Sequence, residues 1–269
     1  MAQTQASFWD NLPARLAIQL GTSVPRKKCK LEAILKCMPS LTPQSKCLDV
    51  GTAHGGFTYH YSKQGDWTYL EADKERLAIS QKILKGQFVA ESDLSNYLKT
   101  HSNFDLIALV DVAVYFSEPK EVLASVFKAL NPGGYLLFVG GDESLHTKSW
   151  IYKLRAKTGI EKAVGRTNNP NHIEMEKLFE ELGFQKVALK LFEGPFCEVF
   201  QTLLDLFVLR PHAESDQLYE KFNSSRLQLF LKFILTYPLR VVSLAVNAMD
   251  KVFPHLPRYA YTLILRKPE

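Results

Sequence analysis

The sequence has few cysteines and no long apolar run. Its cysteines, Cys29, Cys37, Cys47 and Cys197, form no CxxC pair and have no histidine at metal-ligand spacing. We therefore expect no bound metal and a reducing compartment. No stretch of about 18 uninterrupted apolar residues is present, as a membrane span would need, and residues 1–16 lack the pattern of a secretory signal. These absences favour a cytoplasmic location.

Internal repeats, low-complexity tracts and a basic stripe with interleaved aromatic residues are also missing. The lack of repeats excludes a solenoid or a propeller, and without such a stripe we expect no nucleic-acid partner. What is present is a globular composition: 269 residues, 46% hydrophobic and 23% charged, with a net charge of +5. This length and balance predict one α/β domain, or such a domain with one sizeable insertion.

Short β-rich runs alternate with helical patterns between residues 46 and 140. This alternation is typical of a parallel sheet covered by helices. A sixth run follows a helix that Gly183 ends, and a seventh stands close to the C-terminus. The predicted strands are 47–50, 67–71, 87–90, 104–110, 134–139, 185–191 and 259–265, and the predicted helices between them are 56–62, 74–84, 119–130 and 174–182.

The strongest single motif is KCLDVGTAHGG at residues 46–56. An apolar strand brings Asp49 to its carboxyl end, and a glycine-rich turn then opens a helix. Gly51 and Gly55 allow a tight turn and a close approach of the backbone to a ligand, and amides at a helix start bind carboxylates or phosphates. By itself the turn also fits a degraded dinucleotide fingerprint, or a glycine-rich connection made for packing alone.

Acidic side chains follow three successive predicted strands. Asp49 ends the first strand, Glu71 ends the second in WTYLEAD, and Asp93 follows the third in FVAESDL. Because the carboxyl ends of parallel strands meet at one edge of a sheet, we expect the three carboxylates to face one crevice. There Glu71 can hold both hydroxyls of a ribose, and Asp93 can accept a hydrogen bond from an adenine amino group. Together they predict a site for an adenosine-containing ligand.

These motifs resemble those of the class I S-adenosylmethionine-dependent methyltransferases, particularly the group that includes ubiquinone- and sterol-methylating enzymes. LDVGTAHGG is similar to that family's first motif, YLEADKERL to its second, and SDL to its adenine-contacting motif. The stretch from FDLIALV to GGYLLF is similar to its fourth strand, next helix and fifth strand, and HIEMEKLFEELGF to the approach to its sixth strand. The resemblance covers roughly residues 7–192 and the last strand.

The resemblance implies an α/β, Rossmann-like fold. Its seven-stranded, mostly parallel sheet would have the order 3-2-1-4-5-7-6, with the last strand antiparallel and a helical insertion before it. In this scheme residues 1–40 form lid helices, and residues 41–195 and 259–269 form the cofactor-binding domain. Phe8, Trp9, Leu12 and Leu16 have the helical spacing of such a lid, although packing on the sheet edge would give the same pattern.

The resemblance also implies that S-adenosyl-L-methionine is the cofactor, with Glu71 as the ribose acid and Asp93 as the adenine-contacting acid. Ala53 stands where the family has its middle glycine, and it fits there if its φ stays negative. Asp73 is an alternative ribose acid, although the position of Leu77 favours Glu71. The expected cofactor-binding residues are Asp49, Gly51, Ala53, His54, Gly55, Glu71, Ala72, Asp93, Leu94 and Asp111.

Methyl transfer from a sulfonium needs little chemistry from the protein, because the cofactor carries its own leaving group. Holding the acceptor in line can supply about 7–11 kcal/mol in favourable models, and a base is needed only if the acceptor must lose a proton. Tyr115 and His172 are the expected acceptor-positioning residues, with His54, Asp111 and His146 as further candidates near the crevice. No residue is identified as a base.

Two other functions fit the same fold. A nicotinamide oxidoreductase seldom needs an acid two residues before its first glycine, so Asp49 argues against it. A non-catalytic protein or partner subunit that binds S-adenosylmethionine or S-adenosylhomocysteine stays open. Oligomeric state is not predicted.

Residues 196–258 form the predicted helical insertion. Residues 226–237 and 238–253 have the patterns of two helices, and the second has a narrow polar stripe and a wide apolar face. Segment 221–258 has six basic residues and one acidic residue. This combination suits a cap over the active site, a dimer contact, or peripheral contact with anionic lipid. As a roof over the strand ends, the insertion would favour a small, hydrophobic acceptor.

Overall fold

The structure is a computed structural model that describes residues 11–142, 150, 151, 153, 171–208 and 226–269. Phe8, Trp9 and His146, which the sequence analysis singled out, lie outside the described residues. A seven-stranded sheet forms the centre of the molecule. Its strands are β1 (Lys46–Val50), β2 (Asp66–Glu71), β3 (Gln87–Ala90), β4 (Phe104–Val110), β5 (Leu130–Gly141), β6 (Gln185–Phe192) and β7 (Ala260–Arg266).

The strand order is β3-β2-β1-β4-β5-β7-β6. Strands β1 to β5 pair in parallel, and β7 runs antiparallel between β5 and β6. The predicted order and orientation are therefore confirmed. The central strands are mostly apolar, as expected where helices cover both faces of the sheet. In β4, for example, Leu106 and Ala108 pack into the core on one face, and Ile107 and Leu109 pack into the core on the other.

Three helical segments between β1 and β4 differ from the predictions. Residues 56–62 form only a 3₁₀ turn at Thr58–His60, and helix α3 (Lys74–Ser80) ends at Ser80 rather than at residue 84. Helix α4 (Leu94–Thr100) was not predicted. The described helices are α1 (Leu12–Ser23), α2 (Pro25–Cys37), α3 (Lys74–Ser80), α4 (Leu94–Thr100), α5 (Pro119–Ala129), α6 (His172–Glu181), α7 (Pro195–Val208) and α8 (Arg226–Val252).

Helix α8 is continuous through Pro238, so the prediction of two helices separated there was wrong. Proline lacks the amide that would bond to the carbonyl four residues earlier, and its ring crowds that carbonyl. Pro238 lies on the exposed side of α8, where the helix can bend slightly and water can reach the carbonyl.

The insertion packs on the two N-terminal helices. Phe230 and Phe233 of α8 contact Leu12 and Leu16 of α1, and Lys251 of α8 pairs with Glu32 of α2 at 2.6 Å. Helix α7 packs between α8 and α2. Within the described ranges, no helix is both long enough and apolar enough to cross a membrane.

Candidate active site

A cleft of about 890 Å³ opens at the carboxyl ends of β1, β2, β3 and β4. Its volume lies in the range of about 300–1,000 Å³ that is usual for small-molecule sites. The cleft is lined by the glycine-rich turn after β1, the ends of the neighbouring strands, the turn after β4 and one face of α2. Nine of the ten expected cofactor-binding residues line it: Asp49, Gly51, Ala53, His54, Glu71, Ala72, Asp93, Leu94 and Asp111. The tenth, Gly55, is buried within the turn and does not line the cleft.

Asp49 is buried at the end of β1, beneath the glycine-rich turn. Its carboxylate accepts hydrogen bonds from the hydroxyls of Thr52, Thr58 at 2.9 Å and Tyr61 at 2.5 Å. Burial raises the pKa of Asp49 to about 6, although the three hydroxyl donors oppose this shift. The turn is therefore tied to the strand by a carboxylate that water does not reach.

Glu71 ends β2 and faces the cleft, whereas Asp73 does not line it. Glu71 accepts hydrogen bonds from the amides of Ala53 at 2.6 Å and Asp73 at 3.0 Å. The Asp73 carboxylate caps helix α3 instead, since it accepts from the amides of Glu75 and Arg76. This division of roles favours Glu71 over Asp73 as the acid that would hold a ribose.

Asp93 and Leu94 line the cleft where β3 passes into α4. Asp93 Oδ1 also caps α4, because it accepts from the amide of Asn96 at 2.9 Å. The aspartate therefore has a structural role in addition to its place in the cleft wall. Ala72, next to Glu71, and Leu94 give this side of the cleft two small or apolar contacts suited to the face of a flat ring.

The glycine-rich turn has three residues with positive φ: Gly51 at 71°, Ala53 at 49° and Gly55 at 73°. The expectation that Ala53 keeps a negative φ is wrong. Ala53 takes the left-handed conformation that glycine would adopt more easily, at a cost of about 1–2 kcal/mol. At Gly51 a Cβ would lie 2.4 Å from Cγ1 of Val112, so no side chain fits there.

Two lysines of α2 line the opposite wall of the cleft, and the sequence analysis missed both. Lys30 pairs with Asp111, the residue that follows β4. Lys27 lines the cleft as an exposed residue. Desolvation by the surrounding groups and the charge of Lys30 lower its pKa to about 8, with Asp111 opposing. Their spacing of three residues puts both lysines on one face of α2, a signal that PRKKCK contains.

Tyr115 lies in the cleft and His172 does not. Tyr115 ends the 3₁₀ turn after β4, and its side chain is 69% exposed beside Phe116, which also lines the cleft. His172 begins α6, and its Nδ1 lies 2.6 Å from Oδ2 of the buried Asp142. His54 lines the cleft, and burial lowers its pKa to about 4, so its imidazole is neutral at pH 7.

The insertion contributes no residue to the cleft wall within the part of the chain that the structure describes. Helices α7 and α8 instead lie behind α1 and α2. Helix α1 in turn packs on the glycine-rich turn so closely that a Cβ at Gly56 would lie 2.1 Å from the carbonyl oxygen of Ala17. The N-terminal helices, and not the insertion, therefore form the side of the cleft opposite the strands.

The fold and the cleft define a nucleoside-binding α/β protein of the class I methyltransferase type. A family model described as a methyltransferase domain matches residues 23–189, more than half of the chain. The chain therefore belongs to this methyltransferase family, and its cofactor is S-adenosylmethionine. A sequence search of the curated proteins finds no match.

Solved structures show the same fold at low sequence identity. A SAM-dependent methyltransferase from Archaeoglobus fulgidus is 14% identical, with a TM-score of 0.53 over 88% of this chain and 93% of that chain. Phosphoethanolamine N-methyltransferase 2 from Haemonchus contortus, in complex with S-adenosyl-L-methionine, is 17% identical, with a TM-score of 0.54 over 100% of this chain and 62% of that chain. Both have the fold of this chain.

Proposed function

We propose that this methyltransferase transfers the methyl group of S-adenosylmethionine to a small, hydrophobic acceptor. The observation that carries the proposal is the composition of the cleft. Its end after β4 and along α5 has four apolar or aromatic residues, Val112, Tyr115, Phe116 and Val122, beside Ser117, Glu118 and Glu121 at its rim. The lysines of α2 and the acids Glu71 and Asp93 line the rest of the cleft. A polar nucleoside would occupy the charged part, and an apolar acceptor would contact the apolar end. The sequence motifs shared with ubiquinone- and sterol-methylating enzymes support the same acceptor class.

The charged part of the cleft fits the cofactor by its donors and acceptors. Glu71 would hold the ribose hydroxyls, Asp93 the adenine amino group, and the turn at Gly51 the amino-acid portion by close approach of its backbone. Lys27 would hold the carboxylate of that portion. When bound, S-adenosylmethionine supplies an activated methyl group on a sulfonium sulfur.

The protein contributes mainly by positioning. Lys30 holds Asp111, and Asp111 has a positive φ of 58° directly after β4. This arrangement fixes the backbone from which Tyr115 and Phe116 extend toward the acceptor. The aromatic side chains of Tyr115 and Phe116 would keep water away from the acceptor atom and hold it in line with the methyl group, and in-line transfer needs little more from the protein. His172 is held by Asp142 outside the cleft wall, so Tyr115 is the residue that we propose for positioning the acceptor.

Replacing Glu71 tests the cofactor site. Glu71→Gln should weaken binding of S-adenosylmethionine by about 10- to 100-fold in calorimetry, since hydrogen bonds to charged groups contribute about 1.5–3 kcal/mol. Glu75→Gln, an exposed position in the first turn of α3, is the matched control and should bind as the unchanged protein does. Equal affinity in a folded Glu71→Gln variant would contradict this assignment.

The acceptor class is tested with methyl-labelled S-adenosylmethionine and a total lipid extract. Label should appear in the organic phase, and Glu71→Gln should transfer less of it when the cofactor concentration is below saturation. Label that enters only water-soluble products would refute a hydrophobic acceptor. Cofactor binding without transfer to any extract would instead favour the non-catalytic alternative.

A further inference from the structure

Helix α8 turns a stripe of four polar side chains inward and most of its large apolar side chains outward. Thr236, Ser243, Asn247 and Asp250 are almost fully buried, and their spacing puts them on one face of the helix. Large apolar side chains, each between 39% and 69% exposed, occupy the opposite side. They are Leu231, Ile234, Leu235, Tyr237, Val241, Val242, Leu244, Met249, Val252 and, directly after the helix, Phe253. We call this set the outer face of α8.

Hydrogen bonds fix the helix in this orientation. Thr236 donates to Oε1 of Gln19 at 2.6 Å, and Ser243 donates to the carbonyl oxygen of Ser23. The carboxylate of Asp250 accepts from the first backbone amides of α7, at 3.1 and 3.0 Å. Turning α8 about its axis would bury the apolar side chains but would leave these polar groups without their partners. The outer face therefore stays outward.

An apolar surface of this extent marks a site of interaction. The helix has 27 residues, which gives a length of about 40 Å at a rise of 1.5 Å per residue. Exposed apolar residues follow the outside of the helix from Leu231 to Val252. Because its polar face is held against the protein, α8 presents the outer face lengthwise, as a helix that lies along a surface does.

Cations border the outer face. Arg240 is exposed on α8, and Lys251 projects from its last turn with a side chain that is 62% exposed. Lys28 of α2 lies close by: partial burial lowers its pKa, Glu32 opposes this shift, and the charges of Arg240 and Lys251 add to it. Glu32 balances one of the three cations, through its ion pair with Lys251. The border is therefore net positive.

We propose that the outer face of α8 docks onto a lipid bilayer that contains anionic headgroups. Such a bilayer offers an apolar layer to the outer face and negative charge to its border at the same time. A second copy of the chain, related by a twofold axis, would bring the same cations to the contact. The docking rests on α8 and its border alone, and it would hold whatever the cleft methylates.

Vesicle flotation of the full-length protein tests this surface. We expect the protein to float with vesicles of phosphatidylcholine containing about 30% phosphatidylserine, and to float less with phosphatidylcholine alone. Leu235→Ser/Val241→Ser removes two of the most exposed apolar side chains and should lower the bound fraction at least about tenfold, since each loses most of its burial in lipid. The matched control is Ile173→Ser/Val187→Ser, at positions 58% and 55% exposed on α6 and β6, which should float normally.

The anionic component is tested with Arg240→Gln. This change should reduce flotation with the phosphatidylserine vesicles several-fold and leave the weaker binding to phosphatidylcholine unaltered, and raising the salt concentration should have the same effect. Thermal unfolding and cofactor affinity should be unchanged in all variants, which separates docking from the cofactor site.

Three results would overturn the docking proposal. One is no flotation with either vesicle, and another is equal flotation of Leu235→Ser/Val241→Ser and its control. The third is a lipid-free dimer that this variant converts to a monomer in sedimentation, because the occupant of the outer face would then be a second copy.

Discussion

The buried carboxylate under the cofactor turn makes the stability of the protein depend on pH. The pKa of Asp49 is about 6 in the folded protein, raised by burial from the ordinary value of 3.8. The folded state therefore holds this proton more tightly than the unfolded state. The favourable contribution is complete below about pH 3.8 and is lost as the pH rises through 6. A shift of about two pH units corresponds to about 3 kcal/mol.

Asp49→Asn isolates this contribution. Its amide can bond to Thr52, Thr58 and Tyr61 because hydroxyls both donate and accept, and it does not titrate. The free energy of unfolding in urea is measured for both proteins at several values between about pH 4 and pH 8. The unchanged protein should lose up to about 3 kcal/mol relative to the variant as the pH rises across this range. The reasoning would be refuted if the difference in the free energy of unfolding between the two proteins did not change with pH. It would also be refuted if the unchanged protein became more stable relative to the variant at high pH.

Two further predictions concern the wall of the cleft and its turn. Lys27→Gln should weaken S-adenosylmethionine binding about tenfold near pH 7, because one charge-assisted contact is lost. In the unchanged protein, the affinity for S-adenosylmethionine should fall as the pH passes about 8 and Lys27 loses its proton. Calorimetry of the variant should show no such fall. Ala53→Gly should raise the free energy of unfolding in urea by up to about 1 kcal/mol, because glycine adopts a φ of 49° without strain.

The Lys27→Gln and Ala53→Gly predictions each have a matched control variant. Lys27→Arg should keep tight binding above pH 8, and a pH profile identical to that of the unchanged protein would show that another group titrates. Ala78→Gly, at an exposed position in α3, should destabilise by about 0.5–1 kcal/mol. If Ala53→Gly and Ala78→Gly lower the free energy of unfolding by the same amount, the strain that we assign to Ala53 is absent.

The sheet and the acids of the cleft were predictable from the sequence because both follow from local patterns. Apolar runs of four to seven residues mark β1 to β4, and an acid after a buried parallel strand can face only the carboxyl edge. Asp49, Glu71 and Asp93 accordingly come together in the cleft wall. The conformation of Ala53 could not be predicted, because the strain of one residue is set by the packing of the whole turn.

Contacts between distant segments were not predictable. Lys27 and Lys30 reach the cleft only because α2 crosses the carboxyl edge of the sheet, which no local pattern encodes. The narrow polar stripe of α8 was visible in the sequence, but the side it faces was not. A polar stripe ordinarily faces water; here Ser243 and Asp250 face inward because α1, α2 and α7 offer backbone partners there.

Helix α2 contacts both the cleft and helix α8. One side carries Lys27 and Lys30 into the cleft, and Glu32 joins α2 to Lys251 of α8. If the proposed docking displaces α8, helix α2 is the element through which that displacement would be passed to the two lysines. Thermodynamic linkage is reciprocal. If binding of the protein to lipid raises its affinity for S-adenosylmethionine by some factor, bound S-adenosylmethionine raises its affinity for lipid by the same factor. With coupling of that sign, the enzyme would stay on a lipid surface longest while S-adenosylmethionine is bound in its cleft.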